Sequence, residues 1–122
     1  LALRRTPAAT EAMVLMMARA FRLGYRRYEW KCHALNEPSR VAARRLGFAF
    51  EGLFRQAVVY KGRSRDTAWY SVIDRDWPEL DAIFQRWLDP SNFDDQWRQR
   101  ASLSAWTEPL RLRDPSLPQE AR

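Results

Sequence analysis

The 122-residue chain is 46% apolar and contains six Trp, six Phe and four Tyr, enough for one core and one domain and too short for two. No apolar run reaches the roughly 18 residues that span a bilayer, and no basic segment followed by an apolar stretch marks a signal peptide. With Cys32 as the only cysteine and His33 the only histidine, an intramolecular disulfide is excluded, a transition-metal site is disfavoured and a reducing cytoplasm is the expected setting. The net charge of +6 is carried mostly by arginine in scattered pairs such as Arg4-Arg5, Arg26-Arg27 and Arg44-Arg45. Such pairs suit an anionic ligand or partner more than the uninterrupted basic run of a nucleic-acid tail.

In chain order, Thr10-Glu11-Ala12 reads as the start of a first helix, with Thr10 as cap and an acid in the first turn. Met13, Met16, Met17, Ala20 and Phe21 recur at helical spacing, and Gly24 ends the run. Tyr25 to Ala34 alternates as a strand does. Asn36-Glu37-Pro38 opens a second helix that ends at Gly47. Phe48 to Lys61 reads as a long strand with a bulge at Gly52, and the Gly62 turn returns it through Thr67 to Ile73. Asp76-Trp77-Pro78 starts a third helix reaching Leu88, with Leu80, Ile83, Phe84 and Trp87 as its apolar stripe. Beyond Pro90 the pattern fades among Pro109, Pro115 and Pro118. That end is expected to fray, although Trp97 and Trp106 argue that part of it docks.

These elements give an α/β fold with a mixed, mostly antiparallel sheet flanked by helices. Three strands make a thin sheet. The apolar faces of Met13 to Phe21 and Tyr25 to Ala34 are then left partly uncovered, which favours a dimer or a completing segment.

Several stretches, in order, resemble the GNAT acetyltransferase family: Arg4-Arg5-Thr6-Pro7-Ala8-Ala9-Thr10-Glu11-Ala12, Leu35-Asn36-Glu37-Pro38-Ser39, Arg45-Leu46-Gly47-Phe48 with Glu51-Gly52, Lys61-Gly62-Arg63, and Asp66-Thr67-Ala68-Trp69-Tyr70-Ser71. The likeness runs over residues 4–93 and is strongest to the branch that acetylates N-terminal amines of ribosomal proteins. It implies the C-terminal half of a GNAT fold over 1–93 and an extension over 94–122. It also implies transfer of an acetyl group from acetyl-CoA to a primary amine, with no metal.

By the same resemblance, the pyrophosphate of acetyl-CoA lies against Arg4, Arg5, Ala8, Ala9, Thr10 and Glu11 at a helix start, where unpaired N–H groups and the helix dipole favour an anion. Asn36 meets the pantetheine arm. Ser39 stands where the branch carries a hydroxyl that donates to the CoA sulfur, and it also suits an ordinary first-turn position. The chain departs from the family at three places: Pro7 replaces a loop glycine, Ala43 a catalytic Tyr, and Val58 a catalytic Glu. Glu29, Asp66 or His33 are the alternatives for a base. Two other readings stay open: a non-catalytic, self-associating remnant that binds CoA, and a basic nucleic-acid-binding module.

Overall fold

A computed structural model describes residues 7–120. Its elements are α1 (Pro7–Arg22), β1 (Arg27–His33), α2 (Glu37–Arg45), β2 (Ala49–Tyr60), β3 (Arg63–Ile73), α3 (Trp77–Leu88), a 3₁₀ turn (Pro90–Asn92) and α4 (Leu103–Arg111). The first six follow the order expected from the sequence. No described helix is long and apolar enough to cross a membrane.

α1 starts at Pro7, three residues before the expected cap. Proline at the first helical position loses nothing by lacking an N–H, and its fixed φ suits the helix. Thr10 therefore lies inside the helix, 2% exposed, with its hydroxyl accepting from Arg45 Nη1 at 3.1 Å. At its other end α1 closes as a Schellman motif, with Gly24 N bonded to Phe21 O and Tyr25 N to Ala20 O. α2 closes in the same way through Gly47 N to Arg44 O and Phe48 N to Ala43 O. Gly47 has φ +84°, a conformation that a side chain disfavours.

The sheet is antiparallel throughout, in the order β1-β3-β2. Trp30 pairs with Tyr70 and Tyr28 with Val72, so the two strands present one apolar face together. β2 joins β3 through a two-residue turn at Lys61 and Gly62, both with positive φ, the requirement of a type I′ hairpin. The expected bulge appears as a register shift between Phe50 and Gly52, and a second shift lies between Phe54 and Val58. There Gln56 takes φ +53°, and its N–H donates to Asp66 Oδ1 at 2.9 Å.

One core joins Val14 and Met17 of α1, Ala43 and Leu46 of α2, Phe48, and Ala68, Tyr70 and Val72 of β3 with Leu80, Phe84 and Trp87 of α3. α4 adds Leu103 and Leu110 to it. This helix was not expected from the sequence. Pro109 sits inside it, where the ring removes a hydrogen bond and crowds the preceding turn. Tertiary contacts offset that cost: Thr107 is fully buried, and its hydroxyl donates to Arg45 O at 3.0 Å. Of the two tryptophans expected to dock, Trp106 does so, under the Arg86 guanidinium at 4.4 Å. Trp97 does not. It is 70% exposed and meets the core only at the edge, where its ring lies 6.3 Å from that of Phe93.

Candidate cofactor and catalytic site

The start of α2 is built by its neighbours in sequence and by β1. Asn36 Oδ1 accepts from Ser39 N at 3.2 Å and caps the helix. Pro38 occupies the first turn at no hydrogen-bonding cost. Ahead of it, Asn36 N donates to His33 O, and Leu35 N donates to His33 Nδ1 at 3.1 Å. The only histidine thus uses one ring nitrogen to shape the turn between β1 and α2.

Ser39 is half-buried, and its Oγ accepts from Trp30 Nε1 at 3.0 Å. Trp30 belongs to the inward row of β1, with its ring edge-on to Phe48 at 5.5 Å. A hydroxyl that accepts an indole N–H keeps its own hydrogen free to donate. The received bond also polarises the O–H and favours its donation to a developing anion. Trp30 was not singled out in the sequence. Its alternation with Tyr28 and Cys32 marked it as inward-facing, but nothing local pointed to Ser39.

Of the other expected site residues, Arg4 and Arg5 lie outside the described residues. Ala8 and Ala9 fall in the first turn of α1, with Thr10 and Glu11 just after it. Glu11 is exposed beside a shallow cleft shared with Leu15, Gln85 and Asp89. Ala43 is fully buried in the core, and Val58 is 47% exposed on β2. Among the alternative carboxylates, Glu29 pairs with Arg27 at 3.0 Å and Asp66 is held by the Gln56 bulge.

A larger cleft of 490 Å³ opens between Ala49, Glu51, Ser71 and Ile73 of the sheet and the segment 110–117. Glu51 there accepts from Ser71 Oγ at 2.8 Å and pairs with Arg27 at 2.7 Å. The Arg27 guanidinium, helped by Ser71, holds the Glu51 carboxyl below its ordinary range. A carboxylate so committed is a poor base.

Two solved structures resemble this chain over much of its length. A GCN5-related N-acetyltransferase from Brucella melitensis is 56% identical over 85% of this chain and 48% of its own, with a TM-score of 0.81. A probable acetyltransferase of the GNAT family from Chromobacterium violaceum is 55% identical over 62% of this chain and 38% of its own, with a TM-score of 0.60. The chain has the GNAT acetyltransferase fold. It spans about half the length, or less, of these GNAT structures. No protein-family model and no curated protein sequence matches it.

Set against the acetyl-CoA that GNAT enzymes use, the start of α2 fits a thioester arm in one respect. Ser39 offers a partly exposed hydroxyl whose hydrogen has no partner among the described residues.

Proposed function

We propose that the chain forms the C-terminal half of an N-acetyltransferase domain, over residues 1–93 with 94–122 appended, that passes an acetyl group from acetyl-CoA to a primary amine. The 56% identity to the Brucella melitensis N-acetyltransferase over 85% of this chain carries the reading. Acetyl-CoA supplies an activated acetyl thioester, and the chain's residues bind the carrier and protonate the departing sulfur. Arg4 and Arg5, with Ala8 and Ala9 in the first turn of α1, take the pyrophosphate by charge and by helix-terminal N–H groups, and Thr10 and Glu11, past that turn, only border it. Asn36 meets the pantetheine arm while also capping α2. Ser39, with its oxygen held by Trp30, donates its hydrogen to the thiolate as the carbon–sulfur bond breaks and recovers a proton, through solvent, from the newly acylated nitrogen. We assign the protein to the cytoplasm, with self-association through faces that the described residues leave uncovered.

The test is calorimetric titration with acetyl-CoA, followed by a thiol-release assay with a panel of amines. Binding that falls about 10- to 100-fold in Arg4→Ala/Arg5→Ala, about 1.4–2.8 kcal/mol for the pair, supports the pyrophosphate assignment. Binding without turnover favours a non-catalytic CoA-binding remnant instead, a reading supported by the apolar Val58, 47% exposed, where the resemblance calls for a Glu. No heat at millimolar acetyl-CoA removes the cofactor site altogether.

A further inference from the structure

The last residues described turn back onto the body of the molecule, and their hydrogen bonds to it run through a single side chain. Glu120 Oε2 accepts from Arg40 Nε at 2.9 Å, from Arg40 Nη2 at 2.8 Å, from Arg44 Nη1 at 2.7 Å and from the Tyr70 hydroxyl. The Arg40 side chain is 9% exposed and that of Glu120 10%. Arg40 is fixed from other directions too: its Nη1 donates to Ala34 O at 2.7 Å, and its guanidinium lies over the Phe50 ring at 5.7 Å. The donors are therefore held by α2 and β3, not by the tail.

Three observations separate the pocket from its present occupant. Between Asp114 and Glu120, the only hydrogen bonds to the rest of the molecule among the described residues are those of Glu120. That stretch has no regular structure and carries Pro115 and Pro118, so no ladder of backbone bonds holds it. All four donors converge on Oε2, while Oε1 is buried without a partner. An unpaired buried acceptor weakens the hold of this particular carboxylate. With the tail withdrawn, Arg44 keeps Glu37 at 2.9 Å, while Arg40 loses its only carboxylate partner among the described residues, a state that favours uptake of another anion.

We infer that Arg40, Arg44 and Tyr70 form a binding site for the carboxylate of a small organic acid, which Glu120 fills from within the same chain. The site does not depend on the acetyltransferase reading, and its test uses no turnover. A fork of two guanidiniums with a phenol hydroxyl matches a carboxylate in charge and in donor geometry. The tail competes because its tether keeps the Glu120 carboxylate at a high effective concentration.

The probe is glutarate, read by thermal unfolding and calorimetry on the wild-type chain and on Glu120→Gln. The variant is expected to melt lower than wild type and to regain about 3 °C or more in tens of millimolar glutarate. Wild type is expected to bind glutarate at least about 10-fold more weakly, because the tail already occupies the site. Glutaramide, which has the same shape without charge, should restore nothing, and Arg40→Gln added to Glu120→Gln should abolish the glutarate effect. Equal stabilisation of wild type and variant, or none of a folded variant, overturns the proposal. Inorganic phosphate binding the variant more tightly than glutarate overturns the carboxylate assignment. If Glu120→Gln does not fold, a chain ending at Pro118 carries the same titration. If neither folds without Glu120, that residue is a fixed member of the core and the proposal fails.

Discussion

Trp30 donates its indole N–H to Ser39 Oγ at 3.0 Å, tying the middle of β1 to the first turn of α2. The bond orients the one hydroxyl to which a chemical role is assigned, and it also satisfies a part-buried donor. Ser39→Ala is therefore expected to destabilise the fold by about 1–2 kcal/mol, most of it from leaving the indole N–H unpaired. Trp30→Phe removes that donor and should make Ser39→Ala nearly silent in its presence. A double-mutant cycle by urea unfolding measures this coupling, and a value near zero removes the structural part of the assignment.

The Arg27–Glu51–Ser71 contact makes stability depend on pH in a definite direction. Arg27 first, and then Ser71, hold the Glu51 carboxyl below its ordinary range in the folded state. Its contribution is therefore present in full above the ordinary carboxylate value of about 4.3 and is lost as pH falls through the lower folded value. Glu51→Gln should lower the melting temperature at pH 7, and its gap to wild type should narrow as pH falls below about 4. Asp89, Asp94 and Asp114 are also held low, so a residual acid slope should persist in the variant. A gap between the two chains that stays constant with pH would show that the pair contributes nothing through ionisation.

What the sequence made legible was local. Gly24 and Gly47 as helix stops, Asn36 and Asp76-Trp77-Pro78 as helix starts, and a hairpin turn at Gly62 all act within a few residues, and all appear in the structure. Thr10 misled because Pro7 provides an earlier start, and the Thr10 hydroxyl serves Arg45, 35 residues away, in place of its own helix end. α4 was hidden by Pro109, since its stability comes from Thr107 reaching the α2 carboxyl-terminal carbonyls rather than from propensity. Nothing local to Glu120 marks it in the sequence. Its partners, Arg40 and Tyr70, are 80 and 50 residues away, and no spacing rule reaches that far.

Self-association should follow from the apolar side chains left outside the core. Leu15 is 63% exposed and Met16 53% on α1, and Leu23, Tyr25 and Leu35 are exposed in the turns that flank β1. β1 itself is an edge of the described sheet, with a row of backbone groups open to pairing. Light scattering is expected to return a mass above the 14.5 kDa of one chain. Leu15→Glu and Met16→Glu together should shift it toward the monomer without loss of stability, because neither side chain belongs to the core. A monomer at all accessible concentrations in the unaltered chain refutes this.

The junction of α2, α3 and α4 makes the sharpest stability prediction. Gly47 closes α2 at φ +84°, and a Cβ added there would stand 2.6 Å from Leu80 Cδ1 and 3.4 Å from Thr107 Cβ. Leu80 and Thr107 are both fully buried, so neither has open space to move into. Gly47→Ala thus combines a left-handed backbone, costing about 1 kcal/mol, with overpacking that costs typically 1–3 kcal/mol. A loss of about 2–4 kcal/mol is expected. Gly62→Ala provides the control: its φ is +75°, but nothing lies within 4 Å of the added carbon, so only the backbone cost of about 1 kcal/mol applies. Urea unfolding of the two variants separates strain from crowding. Equal losses at the two sites would mean that Leu80 and the α4 helix shift freely, and that the close packing at Gly47 does not constrain how the three helices meet.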